Sequence, residues 1–427
     1  MVMIRPLTPI RYNPALFPDL APLVAPPYDV IDPRARDELY ERHPLNVIRL
    51  ILNRDPDPYA SAAAFWKQWR EEKILVAESR PCLVFSLERF RLKDGSWHER
   101  AGFFAAVRLE PFEGGHIHPH EKTFSAPKED RLKLLRATRA HLSPIFGLYP
   151  NREEVLAAFR TRVQDRRPDI SLVDSLDTEH RLWLVRDERL ISLAQQALAE
   201  EEVMIADGHH RYETALAYAL ERQRAEGERP DAAYHFVLMY LTSMSDPGLV
   251  VLPTHRVLGS RSGLTATQIA ETLAPHFELQ EFPAREARAF FRALDESAGH
   301  HSIGVALARR EAVFLARLRD RTLLERFAAD VPEVVRRLDV TLLDRVVLRG
   351  LLQLDVDQES RAGRLWYTHD DEEALLACHQ GAEAVFFMRP PRMEELLAVC
   401  RAGAVMPQKS TYFYPKLLSG LLFQSVE

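Results

Sequence analysis

Apolar positions along the chain follow two different periods, and the places where one gives way to the other outline its elements. "PCLVFSLERFRL" and "RAGFFAAVRLEPF" run apolar or alternate around "KDGSW", whose Asp94-Gly95 pair suits a tight turn, so an antiparallel hairpin is predicted. "NVIRLIL" is a short β-branched run that predicts a buried strand, after a Pro-rich loop "VAPPYDVIDP" and a helical stretch ending near Arg42. A basic helical pattern then leads into an apolar strand that ends near Tyr149.

From Asn151 the pattern predicts helix "NREEVLAAFRTRV", strands in "SLVDSL" and "HRLWLVRD", helix "RLISLAQQALAE", strand "VMIAD", helix "HRYETALAYALERQRAE", and strands in "YHFVLMYLTSM" and "LVVLPTHRVL". Beyond residue 261, "SGLTATQIAETLAPHF" reads as helical, and "HSIGVALARR" with "EAVFLARL" reads as a second hairpin. Strands alternating with helices predict an α/β class of mixed α+β character. Three regions are expected: 1–100, 101–260 as the core, and 261–427 with a tail that could complete the site.

Composition narrows the function classes. With 46% hydrophobic and 28% charged residues, 427 residues suffice for two or three domains with real cores. Lys and Arg total 56 against 62 Asp and Glu, a net charge of -6, so no global positive field gathers nucleic acid or an anionic membrane. No apolar run approaches the roughly 18 residues of a membrane span, and the opening "MVMIRPLTPIRYNP" lacks a signal-peptide pattern. Cys82, Cys378 and Cys400 form no CxxC pair, which argues against a disulfide framework or zinc ribbon and points to a cytoplasmic protein.

The strongest chemical signal is "VMIADGHHRYETALAYAL", residues 203–220. Val203 to Ile205 end an apolar strand, while Tyr212, Ala215, Leu216 and Ala219 recur on one helix face. Asp207, Gly208, His209, His210 and Arg211 therefore occupy a strand-to-helix turn. Such a turn presents backbone N–H groups at the positive end of a helix, and Gly208 lets the backbone approach a ligand. Arg211 adds a planar fork of donors for phosphate, Asp207 can hold an ammonium, a hydroxyl or a metal, and His209 and His210 can donate to phosphate or shuttle protons. The plainer alternative makes Asp207 a helix cap and the histidines surface residues.

Other segments carry weaker signals. "HIHPHEKTF" sets Glu121 beside His120 and Lys122, with Lys128 following, so the loop mixes an acid with cations as a phosphate site would; an exposed polar loop is the alternative. His116, His118 and His120 at i, i+2 and i+4 would share one face of an extended strand and could bind metal with Asp207, unless Pro119 breaks the register. "LPTHRVL" places His255 and Arg256 at a strand end where they could touch phosphates, with a satisfied core histidine as the alternative. Lys409, Ser410 and Thr411, with Tyr412 and Lys416, form a Pro-flanked cluster suited either to an anionic group or to a docked tail. Tyr28, Asp29, Asn46 and Arg49 could wall a pocket, or form a rigid turn and a buried ion pair.

"APPYDVI", "HPLNVIRL", "PHEKTF", "ADGHHRYETAL", "MYLTSMSDPGLVVLPTHRVL" and "MPQKSTYFYPKLLSGLL" together resemble the bacterial DUF1015 family of uncharacterised proteins over nearly the whole chain. More narrowly, "ADGHHRYETAL" resembles the glycine-histidine-arginine box of the ParB/sulfiredoxin nucleotide-binding superfamily. That resemblance implies a ParB/sulfiredoxin-like nucleotide-binding core with additional N- and C-terminal α/β regions. Sulfiredoxins carry a reactive cysteine where this chain has His209, and ParB proteins carry a second arginine and a helix-turn-helix that are missing here. The pentad Asp207–Arg211 is similar to that of the free-serine kinases, in which an upstream acid is the catalytic base; Glu121 is its counterpart here.

The resemblance thus implies a kinase of serine metabolism that moves phosphate from ATP or ADP, with Mg²⁺, to the hydroxyl of free L-serine. Glu121, Asp207 and His210 would be catalytic. Gly208, His209, His210, Arg211, Lys122, Thr123, His255 and Arg256 would hold nucleotide, and Asp207, Lys409, Ser410 and Thr411 would hold substrate. Expected partners are nucleotide and a small molecule, with no nucleic acid and no membrane; a homodimer is left open, and no metal ligands are assigned. The alternatives are a metal-dependent phosphohydrolase and a nucleotide-binding regulatory module.

Overall fold

The computed structural model describes residues 1–121, 125–150 and 152–427. The chain is mixed α/β and divides into two compact units: Met1–Pro119 with Thr123–Val250 and Pro415–Glu427, and His120–Lys122 with Val251–Tyr414. Residues 1–100 thus share a unit with most of the expected core, and the end of the chain returns to it.

The first unit is built on a nine-stranded sheet. Its strands are β1 (Ile4–Arg5), β2 (Leu83–Arg91), β3 (Trp97–Arg108), β4 (Ile117–Pro119), β5 (Ile145–Tyr149), β6 (Ile170–Val173), β7 (Glu179–Val185), β8 (Val203–Asp207) and β9 (Phe236–Ser243). Their order is β4-β8-β5-β9-β3-β2-β7-β6, with β1 paired to β3. β2 and β3 are the hairpin expected around Asp94-Gly95, where Gly95 adopts a φ of 89°. β5 runs parallel to β9, and β8 lies antiparallel to β5 with a register shift between Ile205 and Asp207. A shift of this kind re-aims side chains where a strand leaves the ladder.

Helices α1 (Pro58–Glu71), α2 (Ser125–Thr138), α3 (Glu153–Val163), α4 (Glu188–Ala199) and α5 (His209–Glu226) belong to the same unit. Phe159 of α3 stacks on Phe85 of β2 at 5.4 Å and on Phe103 of β3 at 5.3 Å. Each such buried side chain contributes roughly 1.5–3 kcal/mol, so this trio is a main anchor between helix and sheet. On α5, Tyr212, Ala215, Tyr218 and Ala219 enter the core, and Leu216 packs at its margin. Val203 to Ala206 of β8 are all buried, which explains the uninterrupted apolar run.

The C-terminal residues thread back through this unit. Ser419 bridges Ala25, Phe423 bridges Ile10, and Gln424–Ser425 pair with His141 and Ala140. The Phe423 ring lies 5.5 Å from Trp66 of α1 and 6.1 Å from Tyr12.

One expected strand is a helix. "NVIRLIL" forms a helical turn over Ile48–Ile51, with Val47, Ile48, Leu50 and Ile51 buried at helical spacing. Asn46 explains the change: its Oδ1 accepts the Ile48 N–H at 2.9 Å, and its Nδ2 donates to the carbonyls of Pro22 at 2.8 Å and Val24 at 3.0 Å. A side chain that holds its own backbone in a turn two residues on offers the chain an alternative to a strand, and here it overrides the β preference of the residues after it.

The second unit has a six-stranded antiparallel sheet of β10 (His255–Gly259), β11 (Phe277–Pro283), β12 (Ser302–Leu307), β13 (Ala312–Leu318), β14 (Leu365–Thr368) and β15 (Ala382–Phe387). The order is β11-β13-β12-β15-β10-β14, and β12 with β13 is the second expected hairpin. Val257, Phe290, Leu294, Leu315, Val385 and Phe387 centre its core. Among the described residues, no helix is long and apolar enough to cross a membrane.

Candidate functional site

The DGHHR segment forms the strand-to-helix turn its pattern predicts. Gly208 follows β8 with φ 93° and ψ 27°, the left-handed region that glycine tolerates best, and is the N-cap of α5. A Cβ at this position would lie 3.1 Å from the Arg211 guanidinium. The first intrahelical bond is Tyr212 N–H to Gly208 O at 3.0 Å, so the amides of His209, His210 and Arg211 lie at the positive end of an 18-residue helix. The Tyr212 hydroxyl fixes that end, donating to Glu110 O at 2.9 Å and accepting Glu110 N–H at 3.0 Å.

Asp207 uses its carboxylate on two cations. Arg211 Nη2 donates to Oδ2 at 2.5 Å, and Lys416 Nζ donates to Oδ1 at 2.5 Å. The other end of the Arg211 fork donates to the Pro144 carbonyl. The side chains are largely enclosed, Arg211 12%, Asp207 14% and Lys416 12% exposed. Burial pushes the Asp207 carboxyl up, but Lys416 and Arg211 outweigh it and, aided by His209, hold it well below the usual carboxylate range. Asp207 is therefore an ionised bridge between two cations rather than a proton acceptor, and it does not act as the helix cap. Two enclosed cations therefore meet on one carboxylate beside the helix terminus.

Lys416 is the residue that sequence reasoning did not bring to this turn. Its signal is indirect: the Pro-flanked cluster that ends at Lys416 suits a docked tail as well as an anionic site, and docking delivers the lysine. Close by in the same unit, Tyr28, Arg131, Ser143, Arg211 and Thr214 help line a cavity of about 50 Å³, with the Arg131 guanidinium 4.1 Å above the Tyr28 ring. Arg49 packs instead over Tyr40 at 4.5 Å.

Glu121, His120, Lys409, Ser410, Thr411, His255 and Arg256 belong to the second unit, and there Glu121 is joined by the tail cluster. Ser410 N–H donates to Glu121 Oε1 at 3.0 Å, and His120 Nε2 and Thr411 Oγ1 are 2.7 Å apart. Arg256 is buried and donates to Thr254 O at 2.5 Å and Lys409 O at 3.0 Å; burial pushes its pKa down. His255 does not have the arrangement expected of a phosphate ligand. Its Nδ1 accepts the Met388 N–H at 3.1 Å, which leaves Nε2 to donate to Asp371 at 2.8 Å, so it is a satisfied core histidine. Lys122 and Thr123 lie outside the described residues.

The histidine series does not form one metal face. His116 lies against the N-terminal ammonium and His118 is 4.0 Å from Glu202 in the first unit, whereas His120 belongs to the second. Among the described residues, no group of three or more His, Cys, Asp or Glu side chains is placed to hold a metal.

The protein family described as "Protein of unknown function (DUF1015)" matches residues 4–341. The chain belongs to the DUF1015 family. No curated protein matches this DUF1015 chain. Among solved structures it is similar to a mutant free serine kinase in complex with AMP, at 13% identity over 73% of this chain and 87% of that one, TM-score 0.37. A second mutant of the kinase, in complex with ADP, has 14% identity over 73% and 87%, TM-score 0.37. A conserved hypothetical protein from Pyrococcus furiosus has 15% identity over 74% and 92%, TM-score 0.35.

Proposed function

We propose that the Asp207–Arg211 turn binds the phosphates of ATP or ADP and that the protein is a kinase acting on a small hydroxylated metabolite, with free L-serine as the first acceptor to test. The observation that carries this reading is the charge at the turn. Arg211 and Lys416 share the single carboxylate of Asp207 at the N-terminus of α5, behind a glycine that keeps the approach clear of a Cβ. A pair of enclosed cations beside backbone N–H groups suits a polyphosphate. The likeness of the pentad to that of the free-serine kinases supplies the reaction class.

In that reaction the acceptor oxygen forms a bond to phosphorus, the bond from phosphorus to the leaving nucleotide breaks, and the hydroxyl proton passes to a base. Catalysis is then chiefly positioning and charge stabilisation. The proposed base is Glu121, on the resemblance. Asp207 is suited to orienting cations, and its depressed pKa makes it a poor proton acceptor. Mg²⁺ typically binds through the phosphates themselves and needs few protein carboxylates, so it is proposed to enter with the nucleotide.

The test incubates the purified full chain and Mg²⁺ with ATP or ADP and L-serine and looks for O-phosphoserine by mass spectrometry. Product with either donor supports the reading. Nucleotide binding without product across a panel of hydroxylated metabolites would replace it with a regulatory nucleotide-binding module, and release of phosphate to water alone with a phosphohydrolase.

A further inference from the structure

Away from the turn, the first unit encloses a second charge cluster. Arg100 on β3, Glu88 on β2 and His180 on β7 have side chains only 0%, 2% and 1% exposed. Arg100 Nε donates to Glu88 Oε2 at 2.8 Å, and Nη2 donates to the same oxygen at 2.5 Å. His180 Nδ1 lies 3.4 Å from the other Glu88 oxygen, and its Nε2 lies 3.0 Å from Asp174 Oδ2. Charges buried this completely seldom add stability over apolar residues of the same volume, so their geometry calls for another explanation.

The cluster reaches toward the phosphate turn. Arg100 Nη2 also donates to the Pro415 carbonyl at 2.9 Å, and the next residue is Lys416, whose ammonium meets Asp207. A guanidinium suits this task because its planar fork can grip a carboxylate and a carbonyl together, which a single ammonium does less well. Packing holds the fork in place, with the Phe146 ring centroid 4.7 Å and the Tyr240 centroid 5.6 Å from its carbon. Gly102 makes room for that packing, since a Cβ there would lie 2.2 Å from the Tyr240 ring.

We infer that Arg100 is a positioning residue: braced by Glu88 and His180, it fixes Pro415 and thereby sets the Lys416 ammonium against Asp207. The consequence for ligand binding rests on the phosphate reading of the turn; the placement of Lys416 does not.

Two readouts on the full chain separate these claims. The first is acylation of Lys416, followed by peptide mass spectrometry, with the exposed Lys67 as reference. Lys416 should react slowly in the wild type and several-fold faster in Arg100→Gln, with Lys67 unchanged. The second is ADP affinity in a double-mutant cycle. Lys416→Ala should weaken binding about ten- to a hundred-fold and Arg100→Gln about tenfold, and the double variant should be no weaker than Lys416→Ala alone. Should Arg100→Gln not fold, Arg100→Lys keeps a cation beside Glu88 and carries the same expectations. Unchanged Lys416 labelling in a folded Arg100 variant, or losses of affinity that multiply, would overturn the inference. A wild type that binds no ADP but shows the labelling change overturns only the phosphate reading.

Discussion

Lys416 Nζ lies 2.5 Å from Asp207 Oδ1, although 209 residues separate the two in sequence. The contact joins the return of the C-terminal tail to the turn at the head of α5, and it gives that turn a second cation beside Arg211.

Lys416→Ala should therefore weaken ADP binding more than it weakens the fold. A charge-assisted bond to phosphate contributes on the order of 1.5–3 kcal/mol, or about ten- to a hundred-fold in affinity. Isothermal titration with ADP and with inorganic phosphate checks this, alongside thermal unfolding without ligand. An affinity equal to that of the wild type would remove Lys416 from the phosphate site.

Gly208→Ala tests the turn itself. At φ 93° an alanine is strained by roughly 1–2 kcal/mol, and its Cβ would crowd the Arg211 guanidinium at 3.1 Å. The variant should unfold at a lower temperature and gain less stabilisation from ADP than the wild type does. A variant as stable as the wild type would mean that the chain relaxes readily at this point.

What could be read in the sequence followed from local physics. The β2–β3 hairpin, β8 and α5 announced themselves through apolar period and turn residues, and the DGHHR turn followed from where those periods meet. "NVIRLIL" misled because its β-branched residues outweighed Asn46, whose turn-forming role depends on carbonyls at Pro22 and Val24. The Glu88–Arg100 pair was invisible for a different reason. Charges that interrupt an apolar strand ordinarily mark its solvent face, whereas this pair is fully enclosed and Arg100 reaches the returning tail at Pro415. Lys416 could not be placed at the turn because no local pattern encodes a contact between residues so far apart.

Glu121→Gln should abolish O-phosphoserine formation while leaving ADP affinity within about twofold, because an amide keeps the shape of the carboxylate but accepts no proton at neutral pH. Its Oε1 can still accept the Ser410 N–H that the carboxylate accepts. Single-turnover assays with bound donor separate chemistry from binding. A fully active Glu121→Gln would show that another group takes the hydroxyl proton.

His180 should make the fold sensitive to alkali. Burial alone pushes its pKa down, but Asp174 and Glu88 on either side of the ring outweigh it and raise the value to about 9. The unfolded value is near 6.5, so the imidazolium is stabilised by folding. Its contribution, on the order of 3 kcal/mol for a shift of this size, is complete below pH 6.5 and disappears as pH rises through 9. Above that range two buried carboxylates face a neutral ring, with Arg100 still paired to Glu88. Urea unfolding from pH 6 to pH 10 should show the wild type losing stability across this window, and His180→Gln should lack that component while being less stable at pH 6. A His180 ring resonance that titrates near 6.5 in the folded protein would contradict the assignment, because the flanking carboxylates could not then be holding the proton.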